Sequence, residues 1–128
     1  MCIRDSLLSQ AEHDEVAQSI LISPDLSYLN QVSTELEKLL GSLERREIAQ
    51  TSLNNRGLFI HSSDISEAIR ISNQLAPEHL ELAVEAPDVL LPQVKNAGAI
   101  FLGCYSPEAV GDYCAGPNHV LPLSLIHI

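Results

Sequence analysis

Apolar and polar positions along the chain follow two periods in turn, one suited to strands and one to helices. Leu7, Leu8 and Ala11 read as the apolar side of a helix end that runs into the polar Glu12-His13-Asp14-Glu15. Ser19-Ile20-Leu21-Ile22-Ser23 is an apolar run rich in β-branched residues and closed by Pro24, which predicts a buried strand. Leu26, Leu29, Val32, Leu36, Leu39 and Leu43 then step by three and four, so they share one face of a long helix. That helix opens at Pro24-Asp25 and ends near Gly41. A second helical stretch is expected from about Leu43 to Asn54, then a turn at Asn54-Asn55-Arg56-Gly57 and a strand at Leu58-Phe59-Ile60.

Ser63 reads as the N-cap of the next helix, with Glu67 one residue late for the ideal capping box. Ile65, Ala68, Ile69, Ser72 and Leu75 carry that helix until Pro77 halts it. His79 to Val84 alternates, with Leu80, Leu82 and Val84 on one face, and predicts a strand. Pro87-Asp88 opens a short helix to about Val94, Gly98 to Gly103 is a further buried strand, and Pro107 to Val110 starts another short helix. Gly111 to His119 is a loop of small and polar residues. Strands alternating with helices predict an α/β fold, a mostly parallel sheet of four strands with about five flanking helices.

Composition narrows the function classes. The 128 residues suit one domain, 45% of them hydrophobic. Seven Lys and Arg against 17 Asp and Glu give a net charge of −10, which argues against nucleic acid as a partner. No stretch of about 18 apolar residues occurs, so no membrane span is expected, and no secretory signal is visible. Cys2, Cys104 and Cys114 are too few and too oddly spaced for a disulfide framework or a zinc ribbon. They read as buried free thiols in a reducing, cytoplasmic setting. Neither GxGxxG nor GxxxxGK[ST] occurs, so no nucleotide loop is recognisable. The ends carry no pattern that continues into the rest, so residues 1–6 read as a non-native leader and 123–128 as a non-native tail, leaving 7–122 as the domain. Genomic sequence encoding both ends in frame within one intact gene would overturn that expectation.

In a parallel sheet, functional residues are expected at the carboxyl ends of strands and in the loops that follow. Three places carry candidate chemistry. Gln10 and His13 are three apart and would share a helical face, where both could touch one metal ion; from spacing alone, a polar helix end with His13 favourable to the macrodipole is the plainer reading. Glu78 and His79 sit where a helix stops and a strand begins, and a histidine beside a carboxylate suits proton transfer near neutral pH; a solvated connection is the plainer alternative. Asp112 and His119 lie in a loop stiffened by Gly111, Gly116 and Pro117, and both residue types ligate metals. The residue types alone leave hydrolysis and oxidation both open.

Four motifs in order resemble the histidinol dehydrogenase family: Leu8-Ser9-Gln10-Ala11-Glu12-His13, Ala76-Pro77-Glu78-His79-Leu80-Glu81, Ala97-Gly98-Ala99-Ile100-Phe101-Leu102-Gly103, and Gly111-Asp112-Tyr113 through Asn118-His119-Val120-Leu121-Pro122. The resemblance implies a partial Rossmann-like domain of a cytosolic, zinc-dependent homodimer that oxidises L-histidinol to L-histidine through the aldehyde, using NAD⁺ twice in succession. It places Gln10, His13 and Asp112 on Zn²⁺-ligand positions, Glu78 and His79 on the acid–base pair, and His119 on a substrate contact, so that these six residues form the implied substrate pocket. The family's remaining zinc ligand is a histidine from the partner subunit, in a C-terminal region beyond the match, and its NAD-binding segment lies mainly ahead of this stretch; no NAD-contacting residue is assigned. The chain resembles a middle-to-late piece of the enzyme. The rivals are a non-catalytic α/β module whose Glu-rich helix faces bind a protein, and a small zinc hydrolase using Glu78. On the fragment reading, uncovered sheet edges and the Leu26–Leu43 stripe favour self-association. The isolated polypeptide is expected to be inactive, and NADH production from histidinol by the purified 128-residue chain is the measurement that would refute it.

Overall fold

The computed structural model describes residues 7, 11, 16–44, 46–103 and 124–128. Its centre is a five-stranded sheet in the order β2-β1-β5-β3-β4, with every pair parallel. The strands are β1 (Gln18–Ser23), β2 (Leu58–His61), β3 (His79–Leu82), β4 (Ala99–Leu102) and β5 (Ser124–His127). The α-helices are α1 (Leu26–Leu40), α2 (Arg46–Arg56), α3 (Ile65–Leu75) and α4 (Pro87–Leu90), the last continued by a 3₁₀ turn over Leu91–Gln93. Leu7 and Ala11 are also helical and buried.

β1 forms because its run is apolar on both sides, and both sides are covered. Ile20 and Ile22 join Leu80, Leu82, Ile126 and Ile128 on one face of the sheet, where Ala68 and Ile69 of α3 pack. Leu21 points to the other face and meets Leu29, Val32 and Leu36 of α1, with Leu7. Burial on both faces is why the strand reads as a continuous apolar run rather than an alternating one. The α1 stripe expected to lie uncovered is instead mostly buried against β1, because its spacing keeps Leu29, Val32 and Leu36 on the inward side; only Leu26, at the first turn, remains 54% exposed.

The caps explain where the helices begin and end. The Asp25 carboxylate accepts from the Tyr28 amide at 3.1 Å and starts α1, and Gly41 caps its other end. In α3 the N-cap is Asp64 rather than Ser63, one residue later than expected. Asp64 accepts from the Glu67 amide at 2.7 Å, and the Glu67 carboxylate reaches back to the Ser63 amide at 2.6 Å. This reciprocal arrangement satisfies amides that the first helical turn leaves bare. The Ser63 amide, together with Ser63's side chain and the Arg70 guanidinium, holds the Glu67 carboxyl below the usual glutamate range. Its contribution to α3 is therefore present above the unfolded-state pKa and lost as pH falls through the lowered folded value.

Three further expectations change. Asn54-Asn55-Arg56 is the last turn of α2 rather than a loop, secured by Arg56 donating to the Val16 carbonyl at 3.2 Å. β3 stops at Leu82, and all four of its residues are buried, so both of its faces are covered rather than one. Most consequential is Ser124–His127, set aside above as lying outside the domain. In the fold it is the central strand, pairing with β1 on one side and β3 on the other. Ile126 and Ile128 are buried, and Ile128 continues the ladder, donating to Glu81 at 3.0 Å and accepting from Ala83 at 2.9 Å. The alternation in Leu125-Ile126-His127-Ile128 suits a strand, and without it β1 and β3 would face each other with unpaired backbone groups.

β2 is one edge of the sheet, and it carries no lysine, proline or bulge to blunt pairing with another chain. Its Leu58 is 46% exposed and its Phe59 39% exposed. The 128-residue chain is therefore expected to self-associate through this edge, and Phe59→Lys should shift it toward smaller species. Light scattering on a sizing column checks this; a monodisperse monomer before substitution would count against it.

Candidate active site

α3 ends at Leu75, and the chain must turn sharply to enter β3. Ala76 makes the turn in the left-handed region, at φ 49° and ψ 61°, with its amide on the Ser72 carbonyl at 2.9 Å. A residue with a β-carbon pays about 1–2 kcal/mol to sit there, so packing around the turn must hold it. Pro77, which follows, is buried. Glu78 comes next and is half-buried, and His79 opens β3 with none of its surface exposed.

The backbone of this dipeptide is clamped from the β4 side. The Gly98 amide donates to the Pro77 carbonyl at 3.1 Å and the Ala99 amide to the Glu78 carbonyl at 2.7 Å. A β-carbon on Gly98 would lie 2.7 Å from the Glu78 carbonyl oxygen, so glycine is what permits this approach. The segment before Gly98 is itself stitched to α3. The Asn73 amide group donates to the Gln93 carbonyl at 2.9 Å and accepts from the Lys95 amide at 2.8 Å, while Asn96 returns a bond to the Asn73 carbonyl at 2.9 Å. Across the strand pair the His79 ring meets Phe101 edge to face, with centroids 5.9 Å apart and planes at 62°.

Glu78 and His79 thus lie at the amino end of β3, not at the carboxyl end where functional residues were expected. The carboxyl ends of β1 and β2 are instead taken up by helix starts: the Ser23 hydroxyl accepts from the Asp25 amide, and Asp25 and Asp64 cap α1 and α3. The amino ends of three strands stand side by side, with Gln18 of β1 opposite Ser124 of β5 and Leu125 opposite His79. Of the six candidate residues, Gln10, His13, Asp112 and His119 lie outside the described residues. Among the described residues, no group of three or more His, Cys, Asp or Glu is placed to hold a metal ion. Concavities formed by described residues lie elsewhere, among them one of about 240 Å³ lined by Leu36, Leu40, Leu53 and Phe59, and an open groove of about 790 Å³ along Arg70, Asn73 and Lys95.

Sequence reasoning missed Gly98, Asn73 and Phe101 as supports of the pair. Gly98 was read only as punctuation before a strand, and no local pattern says which backbone a glycine approaches. Gly98→Ala is expected to lower stability by about 1–3 kcal/mol through the clash with the Glu78 carbonyl. A urea midpoint that falls at constant slope would bear this out, and an unchanged midpoint would not.

A family model described as histidinol dehydrogenase matches residues 2–126. The histidinol dehydrogenase of Pseudomonas fluorescens (strain Pf0-1) is 56% identical over 118 residues, which cover 92% of this chain and 27% of that protein. That of Methylococcus capsulatus is 58% identical over the same shares. The crystal structure of histidinol dehydrogenase from Elizabethkingia anophelis superposes with a TM-score of 0.88 at 40% identity, covering 94% of this chain and 28% of that one. The chain therefore spans just over a quarter of the length of these relatives.

Proposed function

The chain belongs to the histidinol dehydrogenase family, and from that premise we propose that it carries the proton-moving half of a zinc- and NAD-dependent oxidation of L-histidinol to L-histidine. In this reading Glu78 and His79 are the acid–base pair, Gln10, His13 and Asp112 are metal ligands, and His119 touches substrate.

The observation that carries the reading is the adjacency of strand starts. Gln18 is opposite Ser124, and Leu125 is opposite His79. His13 precedes Gln18 by five residues and His119 precedes Ser124 by five, a span of at most about 17 Å of extended chain. His13 and His119, far apart in sequence, can thus reach the end of the sheet beside the Glu78–His79 dipeptide. The donor set of imidazole nitrogen, carboxylate oxygen and amide oxygen is compatible with Zn²⁺, which commonly takes three protein ligands in catalytic sites and leaves a further position open.

His79, enclosed on β3, accepts the substrate hydroxyl proton as hydride leaves for the nicotinamide. Glu78, half-buried beside it, can reach water and draws a proton from the molecule that hydrates the aldehyde, so the second hydride leaves from a hydrated carbon. Each oxidation passes two electrons to one NAD⁺, and the added oxygen comes from that water. Zinc, when bound, supplies a template for the imidazole and amine of the substrate. The remaining ligand from a partner subunit, the homodimer and the cytoplasmic location belong to the same proposal. No helix among the described residues is long and apolar enough to cross a membrane.

The test is zinc affinity of the 128-residue chain by chelator competition. Gln10→Ala, His13→Ala and Asp112→Ala are each expected to weaken it about tenfold or more. An interaction module would be indifferent to all three substitutions. Ester or amide turnover without NAD⁺ would favour the hydrolase.

A further inference from the structure

We propose that Phe101 is a positioning residue that fixes the orientation of the His79 imidazole, an inference that rests on reading Glu78 and His79 as the proton-moving pair. β3 and β4 run parallel with His79 opposite Ala99 and Glu81 opposite Phe101. Side chains two apart on a strand share a face, so Phe101 stands diagonally across from His79 on the same side of the sheet. The rings meet edge to face at 5.9 Å and 62°, a geometry that depends on ring direction as well as on burial.

The support for that ring is stiff. Phe101 follows Ala99 by two residues on one strand, and the Ala99 amide is bonded to the Glu78 carbonyl at 2.7 Å. The ring that faces the imidazole is therefore carried by the same strand that clamps the main chain of the neighbouring Glu78. A histidine that exchanges protons must present a chosen ring nitrogen, and rotation about its second side-chain bond swaps nitrogen for carbon at that place. The backbone clamp holds the Cα of His79 and does not itself set this rotation. A flat ring packed against the imidazole edge restricts it, and an aliphatic side chain of similar volume does so far less.

The test uses this segment carried in a full-length polypeptide, with the Pseudomonas fluorescens relative providing the remaining length. Phe101→Leu is expected to lower kcat about tenfold while KM for histidinol stays within about twofold and the thermal midpoint moves little. Phe101→Tyr, which keeps the ring, should restore kcat to within about twofold of the parent. An unchanged kcat in Phe101→Leu, or a tyrosine variant as slow as the leucine one, would overturn the proposal. If Phe101→Leu lowers the yield of folded enzyme, Phe101→Met is judged by the same criteria. His79→Asn separates the two levels. It should cost about a hundredfold or more in kcat. If it does so while Phe101→Leu has no effect, positioning alone fails; if His79→Asn is also without effect, the acid–base reading falls with it.

Discussion

A parallel ladder allows no hairpins, so each strand must be reached by a crossover and all strands start at the same edge. Here that constraint governs both the fold and the candidate site. With β5 between β1 and β3, three amino ends lie in adjacent positions. The segments that lead into them hold Gln10 and His13, Glu78, and Asp112 and His119. On the proposed reading, their meeting would follow from strand order rather than from closeness along the chain.

The same constraint explains why His79 is both buried and positioned. A residue that opens a strand flanked on both sides has its backbone fixed by two neighbours. β5 lies on one side of His79 and β4 on the other. The turn that delivers it is costly at Ala76 and is held by Pro77 and by the Gly98 and Ala99 amides. Asn73 extends this bracing back to α3 through bonds to Gln93, Lys95 and Asn96. A mobile loop could carry the same two residue types but could not hold an imidazole to one direction.

Much of this was legible in the chain. The β1 run, the i, i+3, i+4 spacing of α1 and the stop at Pro77 are local signals, and the elements stand where those signals put them. What stayed hidden depended on distant partners. The last turn of α2 read as a loop because Asn and Gly favour turns, but Arg56 anchors it to Val16, forty residues earlier. Ser63 looked like a cap by residue type, and Asp64 took the role through its short bond to the Glu67 amide. β5 was set aside with residues 123–128 as a non-native tail because they carry no pattern that continues from the rest, and the pairing that places them between β1 and β3 is not encoded locally. Glu78 and His79 were recognised as residue types suited to proton transfer, but the edge of the sheet they occupy follows from strand direction. The ring that faces His79 lies 22 residues further on.

The strand at the middle of the sheet is also the last of the five in sequence. During synthesis the β1–β2 and β3–β4 pairs therefore leave the ribosome before the piece that joins them. Until it arrives, β1 and β3 each present an inner edge of unpaired backbone groups, beside a face that carries Ile20, Ile22, Leu80 and Leu82. The nascent polypeptide must pass through a stage in which two half-sheets wait for closure, a period when holdase chaperones would have the most to bind.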